Sequence, residues 1–248
     1  MRAWHTGGRE LVKAVLPVLI FAAFISNMAL WEGLLRFLFP REKVFLYPQA
    51  NLSQLVGEHL VLVLVSSALA IIVGLSIGIF VTRPAGKDFL RIANELSSLA
   101  QTFPPVAVLA LAVPLLGFGF KPTITALFTY SVLPILRNTI AGLEGVPLNT
   151  IEAASGMGMS RLQILGRIEL PLALKVILAG IRISVIVNIG TATIGAVVGA
   201  GGLGSPIISG LVRDNPAFVL EGALAAALLA LLADFLIGKA EQSLSWSH

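Results

Sequence analysis

The chain has 248 residues, of which 56% are hydrophobic and 12% are charged, and its net charge is +4. A typical soluble domain carries about 25% charged residues, so this composition excludes a separate soluble domain and indicates an integral membrane protein of about six helical spans. With no cysteine, disulfides and thiolate metal sites are excluded. We attribute the excess of Lys and Arg to cytoplasmic loops, and we expect no binding to nucleic acid.

The N-terminal segment, residues 1–54, is predicted to contain a membrane anchor and an external loop. The apolar stretch 14–31 is too long for the core of a typical signal peptide, and no A-x-A cleavage site follows it. We therefore interpret it as an uncleaved span. Residues 32–54 carry several charges together with Pro40 and Pro48, which favours a loop.

Residues 55–248 are predicted to form a five-helix core. Gly74 and Gly78 give the first of these spans a small-xxx-small spacing, which lets another helix approach closely. Pro104 and Pro105 interrupt the next span and are expected to kink it. The glycine-rich residues before the last span are predicted to form a turn and a loop. The predicted spans are 55–81, 92–116, 123–141, 171–198 and 217–237, which gives an all-α, polytopic transmembrane helical bundle.

The loop 142–169 between two of these spans differs from the others, since it mixes acidic and basic residues with apolar ones. Asn149 is predicted to cap a short helix, which Gly156 and Gly158 would end. Ser160 and Gln163 have the spacing of a capping box and predict a second short helix. The two helices would share an apolar stripe, formed by Ile151, Ala154, Leu162 and Leu165.

Most of the 17 basic residues fall in segments on the side of this loop. The positive-inside rule therefore predicts that the loop and both chain termini are cytoplasmic. Two interpretations remain open from the residues alone. The loop is either an amphipathic connector on the membrane surface or a rigid element that an external motor protein grips.

The same loop resembles the EAA loop of permeases from binding-protein-dependent ABC importers. The family signature is EAA, three residues, Gly, nine residues, then Ile-x-Leu-Pro. In the family this loop is the coupling helix that docks into the ATPase subunit. The resemblance implies that role for Glu152, Ala153, Ala154 and Gly158, and Ile168, Leu170 and Pro171 complete the match.

The resemblance continues from about residue 55 to 237, through QTFPPVAVLALAVPLLGFG and NIGTATIGAVVGAGGLG. These segments are similar to the quaternary-amine branch, which imports osmoprotectants such as glycine betaine and choline on a methionine-permease-like (MetI-like) fold. The resemblance implies two ATPase subunits, a second permease that is identical or homologous, and a periplasmic or lipid-anchored binding protein, in the bacterial inner membrane. ATP and Mg would be bound by the ATPase, and this chain would hold no cofactor. A methionine or similar permease is the alternative.

Polar groups within the apolar spans are candidates for the translocation path, because such groups face protein or a water-filled cavity. For any one of them, a hydrogen bond between helices is an equally good interpretation. Tyr130 is the aromatic candidate, since cation–π contacts suit quaternary ammonium. The candidates are Gln101, Thr102, Pro104, Pro105, Tyr130, Asn188, Thr191 and Thr193.

Other motifs do not support an enzyme. The G-x-G-x-x-G of Gly199, Gly201 and Gly204 follows a membrane helix instead of a strand, and the sequence has no phosphate-binding G-x-x-x-x-G-K-[ST]. We therefore expect no catalytic or metal site, and interpret His59 as an interfacial residue. An ATP-independent secondary transporter is the rival class, but the sequence shows neither inverted repeats nor an acidic relay within the spans.

Overall fold

The computed structural model describes the backbone of residues 4–100 and 102–245, with side chains over 15–100 and 102–242. The described part is helical and contains no strand. A 3-10 turn covers Lys87–Phe89, another covers Thr193–Val198, and a π turn covers Leu165–Glu169. The α-helices are α1 (Trp4–Ser26), α2 (Met28–Leu38), α3 (Leu52–Val81), α4 (Leu90–Ala100), α5 (Pro105–Leu116), α6 (Phe120–Glu144), α7 (Leu148–Gly156), α8 (Arg161–Ile164), α9 (Leu170–Ala192), α10 (Gly204–Arg213) and α11 (Pro216–Ser245).

Four helical segments in the described ranges are long and apolar enough to cross a membrane: α3, α6, α8 to α9 with their adjoining turns, and α11. Two bent pairs raise the number to as many as six. The α1–α2 pair bends by 70° and the α4–α5 pair by 96°. The predicted bundle of about six helices is therefore confirmed, but the kink expected at Pro104 and Pro105 is a full break between two helices.

The first span was predicted as one helix to residue 31, and this is wrong. The helix breaks at Asn27, whose side-chain Oδ1 accepts a hydrogen bond from the Leu30 N–H at 3.1 Å and so starts α2. Helix α2 covers part of the predicted loop and buries Trp31 and Leu35 completely. These residues share one apolar cluster with Leu52 and Phe218, so the part of this segment from α2 onward packs into the core. The division at residue 54 stays a prediction.

Helix α6 lies between α3 and α9, and small residues set both contacts. An added Cβ at Gly74 would lie 3.0 Å from Ile135 of α6, and one at Gly78 would lie 2.6 Å from Thr139 of α6. On the other side, a Cβ at Gly180 of α9 would lie 2.5 Å from the Cβ of Asn138. The predicted close approach at Gly74 and Gly78 is confirmed, because neither position has room for a side chain.

The end of the bundle opposite the 142–169 loop differs from the sequence-based prediction in two ways. Residues 204–213, predicted as a loop, form α10, which packs against α11 through Gly210. His59, predicted at the interface, is fully buried, and its Nε2 lies 2.9 Å from the Ile189 carbonyl oxygen. The Tyr47 N–H donates to the buried Glu221 carboxylate at 2.8 Å, which ties the 39–51 segment to α11. Burial raises the pKa of the Tyr47 hydroxyl.

Candidate coupling element and translocation path

The 145–169 loop forms two short helices joined by a tight turn, as predicted. We call α7, the turn 157–160 and α8 the coupling element. Gly158 adopts a φ of +80°, in the left-handed region that favours glycine. The Ser160 Oγ accepts from the Gln163 N–H at 3.4 Å, and the Gln163 Oε1 accepts from the Ser160 N–H at 2.8 Å. This reciprocal pair is the predicted capping box, and it fixes the direction in which α8 leaves the turn.

Two details of the loop prediction are wrong. Asn149 lies inside α7, because Pro147 takes the cap position and its fixed φ suits the residue that precedes the first turn. Leu162 is 80% exposed, and Ile164 is buried in its place. The inward face is therefore Ala154 with Ile164, while Leu162 points away from the bundle.

The outer surface of the coupling element mixes small, acidic and large apolar side chains. Glu152 and Ala153 are exposed, and in the described structure the Glu152 side chain makes no hydrogen bond or ion pair. Leu148 and Met157 are each 75% exposed beside them. Single exposed apolar side chains are common on protein surfaces, so this face is defined by its combination of small, acidic and apolar groups. Ala154 faces the other way and is 1% exposed, which seats α7 on the structure below.

The coupling element continues into a membrane span without a loop. Helix α8 passes through the π turn Leu165–Glu169 into α9, and the whole segment 161–198 qualifies as one candidate span. Pro171 lies in the first turn of α9, as predicted. A proline inside a continuous helix removes one N–H and crowds the preceding turn, and a π turn is one way a helix absorbs this irregularity. Movement of the coupling element is thus connected directly to α9.

An ion pair lies at the base of the coupling element. The Arg83 Nη1 donates to the Glu169 Oε2 at 2.5 Å, with the Glu169 side chain 7% exposed and the Arg83 side chain 28% exposed. Arg83 follows the end of α3, and Glu169 is the last residue of the π turn. The pair therefore joins the α3–α4 corner to the segment between α8 and α9. No local sequence pattern points to it, since the partners are 86 residues apart.

The structure brings only some of the predicted path residues together. Pro105 of α5 and Thr191 of α9 line one small cavity of about 10 Å³, with Thr123 and Leu127 of α6, which is room for about one water. Gln101 lies outside the described residues. Thr102 and Pro104 are exposed, and the Thr102 hydroxyl donates to the Leu99 carbonyl at 2.7 Å.

The remaining predicted path residues divide into those that bond within their own helical segment and those that bond to another segment. The Thr191 and Thr193 hydroxyls donate to carbonyls of their own helical segment, at 2.9 Å to Val187 and 2.7 Å to Gly190. The Tyr130 hydroxyl donates to the Phe103 carbonyl beside the α4–α5 break. Asn188 is 2% exposed and joins α9 to α3.

The Asn188 Nδ2 donates to the Ser66 Oγ at 2.7 Å and to the Ser67 Oγ at 3.0 Å, both on α3. This contact is the interhelical hydrogen bond that the sequence left open as an alternative. In this conformation Asn188 therefore holds α9 against α3 and presents almost no surface to a path. Its role in translocation stays a prediction.

The described helices thus form an apolar bundle with a helix–turn–helix element attached to one long candidate span. Residues 74–246 match the family described as binding-protein-dependent transport system inner membrane component. Because this match covers more than half of the chain, the chain belongs to that family. It is a multi-pass permease component, whose transport system includes an ATPase and a substrate-binding protein.

Curated relatives agree with this assignment. The chain is 45% identical over 190 residues to the osmoprotectant import permease protein OsmY of Salmonella typhimurium, covering 76% of this chain and 80% of OsmY. It is 41% identical over 189 residues to the glycine betaine/carnitine/choline transport system permease protein OpuCB of Bacillus subtilis, covering 76% of this chain and 86% of OpuCB.

Among solved structures, the chain is similar to inward-facing conformations of the MetNI methionine ABC transporter. One such structure has a TM-score of 0.69 at 24% identity and covers 77% of this chain and 95% of that chain. At this identity the likeness shows the fold alone. The predicted MetI-like fold is confirmed.

Proposed function

We propose that this permease imports quaternary-amine osmoprotectants such as glycine betaine or choline, driven by a separate ATPase that docks on the coupling element. The observation that carries the ATPase role is the coupling element itself. It presents Glu152, Ala153 and exposed apolar side chains on a rigid support that continues into α9. The identity with permeases named for osmoprotectants, glycine betaine and choline supports the substrate class.

In the proposed mechanism, ATP hydrolysis takes place in the partner, and this chain contributes no catalytic group. Two ATPase subunits would act on two permeases, this chain and an identical or homologous one. Closure of the ATPase pair moves each coupling element, and the attached spans alternate between outward and inward access. The coupling element and both termini are cytoplasmic in this proposal, and the binding protein delivers substrate to the opposite face. The translocation path would use the polar groups near Pro105 and Thr191.

The test of ATPase docking compares the same substitution at two glycines of the coupling element. A Cβ at Gly158 or at Gly156 would meet no atom within 4 Å, but only Gly158 has a positive φ. Gly158→Ala therefore strains the turn by about 1–2 kcal/mol without a steric clash, and Gly156→Ala is the matched control. We expect Gly158→Ala to lose most ATPase co-purification and glycine betaine uptake in membranes, while Gly156→Ala keeps both. Normal uptake by Gly158→Ala would contradict the docking role.

The substrate class is tested separately, in proteoliposomes that hold the permease, its ATPase and its binding protein. Labelled glycine betaine should accumulate only with ATP, and unlabelled choline should compete for uptake while methionine should not. Competition by methionine alone would favour the methionine-permease alternative. Uptake by the permease without the ATPase would favour a secondary transporter.

A further inference from the structure

We infer that the Arg83–Glu169 ion pair is a positioning contact that carries movement of the coupling element to α3 and α4 as well as to α9. This inference rests on the proposed docking of an ATPase. The coupling element is covalently joined to α6 through residues 145–147 and to α9 through the π turn, but it has no covalent link to the α3–α4 corner. The ion pair supplies this link, because its 2.5 Å contact between the Arg83 Nη1 and the Glu169 Oε2 ties the π turn to the corner where α3 ends.

The Arg83 side of the contact is rigid. The Thr82 hydroxyl lies 3.2 Å from the Arg83 Nη2 and itself donates to the Ile79 carbonyl at 2.9 Å. The Arg83 N–H donates to the Phe80 carbonyl at 3.0 Å, and the Gly86 N–H donates to the Arg83 carbonyl at 2.9 Å. A Cβ at Gly86 would overlap the Phe80 carbonyl oxygen, at 2.2 Å. The guanidinium is thus presented from a tight, internally bonded turn.

The Glu169 side of the contact lies in the irregular π turn, but neighbouring apolar side chains hold that turn in place. Leu165 and Leu170, at the two ends of the π turn, pack with Leu75 and Ile79 of α3 around one apolar cluster. Glu169, next in sequence to Leu170, is itself nearly buried. A charge pair in such a setting has strict geometry, because breaking it leaves a buried carboxylate without a partner. Movement of the π turn therefore pulls the α3–α4 corner with it.

From that corner the connection continues to the broken span. Leu90 and Ala93 of α4 pack against a cluster formed by Val81 at the end of α3 and by Leu136 and Ile140 of α6. The Arg137 Nη2 of α6 donates to the Ser98 Oγ of α4 at 2.6 Å. Helix α4 ends directly before the Ala100–Pro105 break, which carries the candidate path residues of that span. The ion pair thus links the coupling element to α4 and to the break.

A double-mutant cycle tests this role in the full importer, with ATP hydrolysis and uptake measured together in proteoliposomes. The variants are Arg83→Gln, Glu169→Gln and the double variant, with Arg83→Lys as the charge-preserving variant. The exposed pair Arg91–Glu95 of α4, at 2.8 Å, supplies a matched control as Arg91→Gln/Glu95→Gln, since exposed pairs contribute little to stability.

We expect each single variant to lower substrate taken up per ATP hydrolysed by about fivefold or more, with binding-protein-stimulated hydrolysis retained. The double variant should be no worse than either single variant, Arg83→Lys should recover part of the coupling, and the Arg91/Glu95 control should match wild type. Unchanged uptake per ATP in assembled variants, or losses that simply add, would overturn the inference. So would failure of Glu169→Gln and the double variant to assemble, because that would give the pair a purely structural role. A wild-type complex without ATP-dependent uptake would instead refute the proposed function.

Discussion

Replacing Gly78 by alanine should destabilise the bundle, although alanine favours helices. The new Cβ would lie 2.6 Å from the Thr139 Cγ2 and 2.7 Å from its Cβ. Thr139 cannot simply rotate away, because its Cβ is fixed to the α6 backbone and its hydroxyl donates to the Ile135 carbonyl at 2.7 Å. Helices α3 and α6 must separate locally, and overpacking of this kind costs about 1–3 kcal/mol.

Gly57→Ala is the matched control, because Gly57 lies in the same helix and a Cβ there meets nothing within 4 Å. That change should be neutral or should stabilise by about 0.5–1 kcal/mol through helix propensity. Thermal unfolding of the purified permease in detergent measures both. We expect Gly78→Ala to lower the Tm by about 4–8 °C, from about 2 kcal/mol and a chain of this size, and Gly57→Ala to leave it equal or higher. Equal Tm values for the two variants would refute the packing argument.

Three further predictions concern Asn188, Thr191 and the capping box. Asn188→Ala removes both interhelical hydrogen bonds to α3 and should cost about 1–2 kcal/mol, seen as a lower Tm in detergent. Thr191→Val removes a hydroxyl that is bonded only within its own helix, so the Tm should not change. It should lower uptake, because Thr191 lines the small cavity that is the candidate path. If Asn188→Ala changed uptake alone and Thr191→Val changed the Tm alone, the roles assigned to the two residues would be exchanged. Ser160→Ala should cost about 1 kcal/mol locally and speed hydrogen exchange at the Gln163 amide, and unchanged exchange would show that the capping box does not hold the turn.

Local sequence signals predicted the parts of the fold that local physics decides. Gly74 and Gly78 lie four residues apart on one face of a helix, and their close contact with α6 follows from that spacing. The spacing of Ser160 and Gln163 predicted the reciprocal hydrogen bonds that the two residues make. Hydropathy located α3, α6, α9 and α11, since about 20 apolar residues suffice to define a span.

The breaks were harder to predict, because hydropathy does not register them. Residues 14–38 are apolar throughout apart from a few charges, so the break at Asn27 is visible only as a possible cap. Helix α10 contains Gly204, Pro206 and Gly210, a composition that favours a loop. In the structure Gly204 lies directly against the Thr193 carbonyl and Gly210 against α11, so packing selects the helix and requires its glycines.

The contacts of the candidate site show the same limit. The EAA spacing identified the coupling element, but the ion pair at its base joins residues 86 positions apart. Neither Arg83 nor Glu169 stands out among the charged residues near span ends. Likewise, His59 was assigned to the interface from its position at a span end, and only the fold shows that Ile189 faces its ring. Pairings over such distances depend on how helices are arranged, which one sequence does not define.

The glycine contacts of α6 have a mechanical consequence. Side chains of α6 rest directly on the backbones of its neighbours, at Gly74 and Gly78 on α3 and at Gly180 on α9. A small shift of α6 toward α3 or α9 would produce overlap at these glycines, which limits relative movement of the three helices there. Bending is easier where the described helices are irregular, as at the π turn 165–169 and the 3-10 turns 87–89 and 193–198. Side chains that stiffen those turns would shorten the distance through which the coupling element can move.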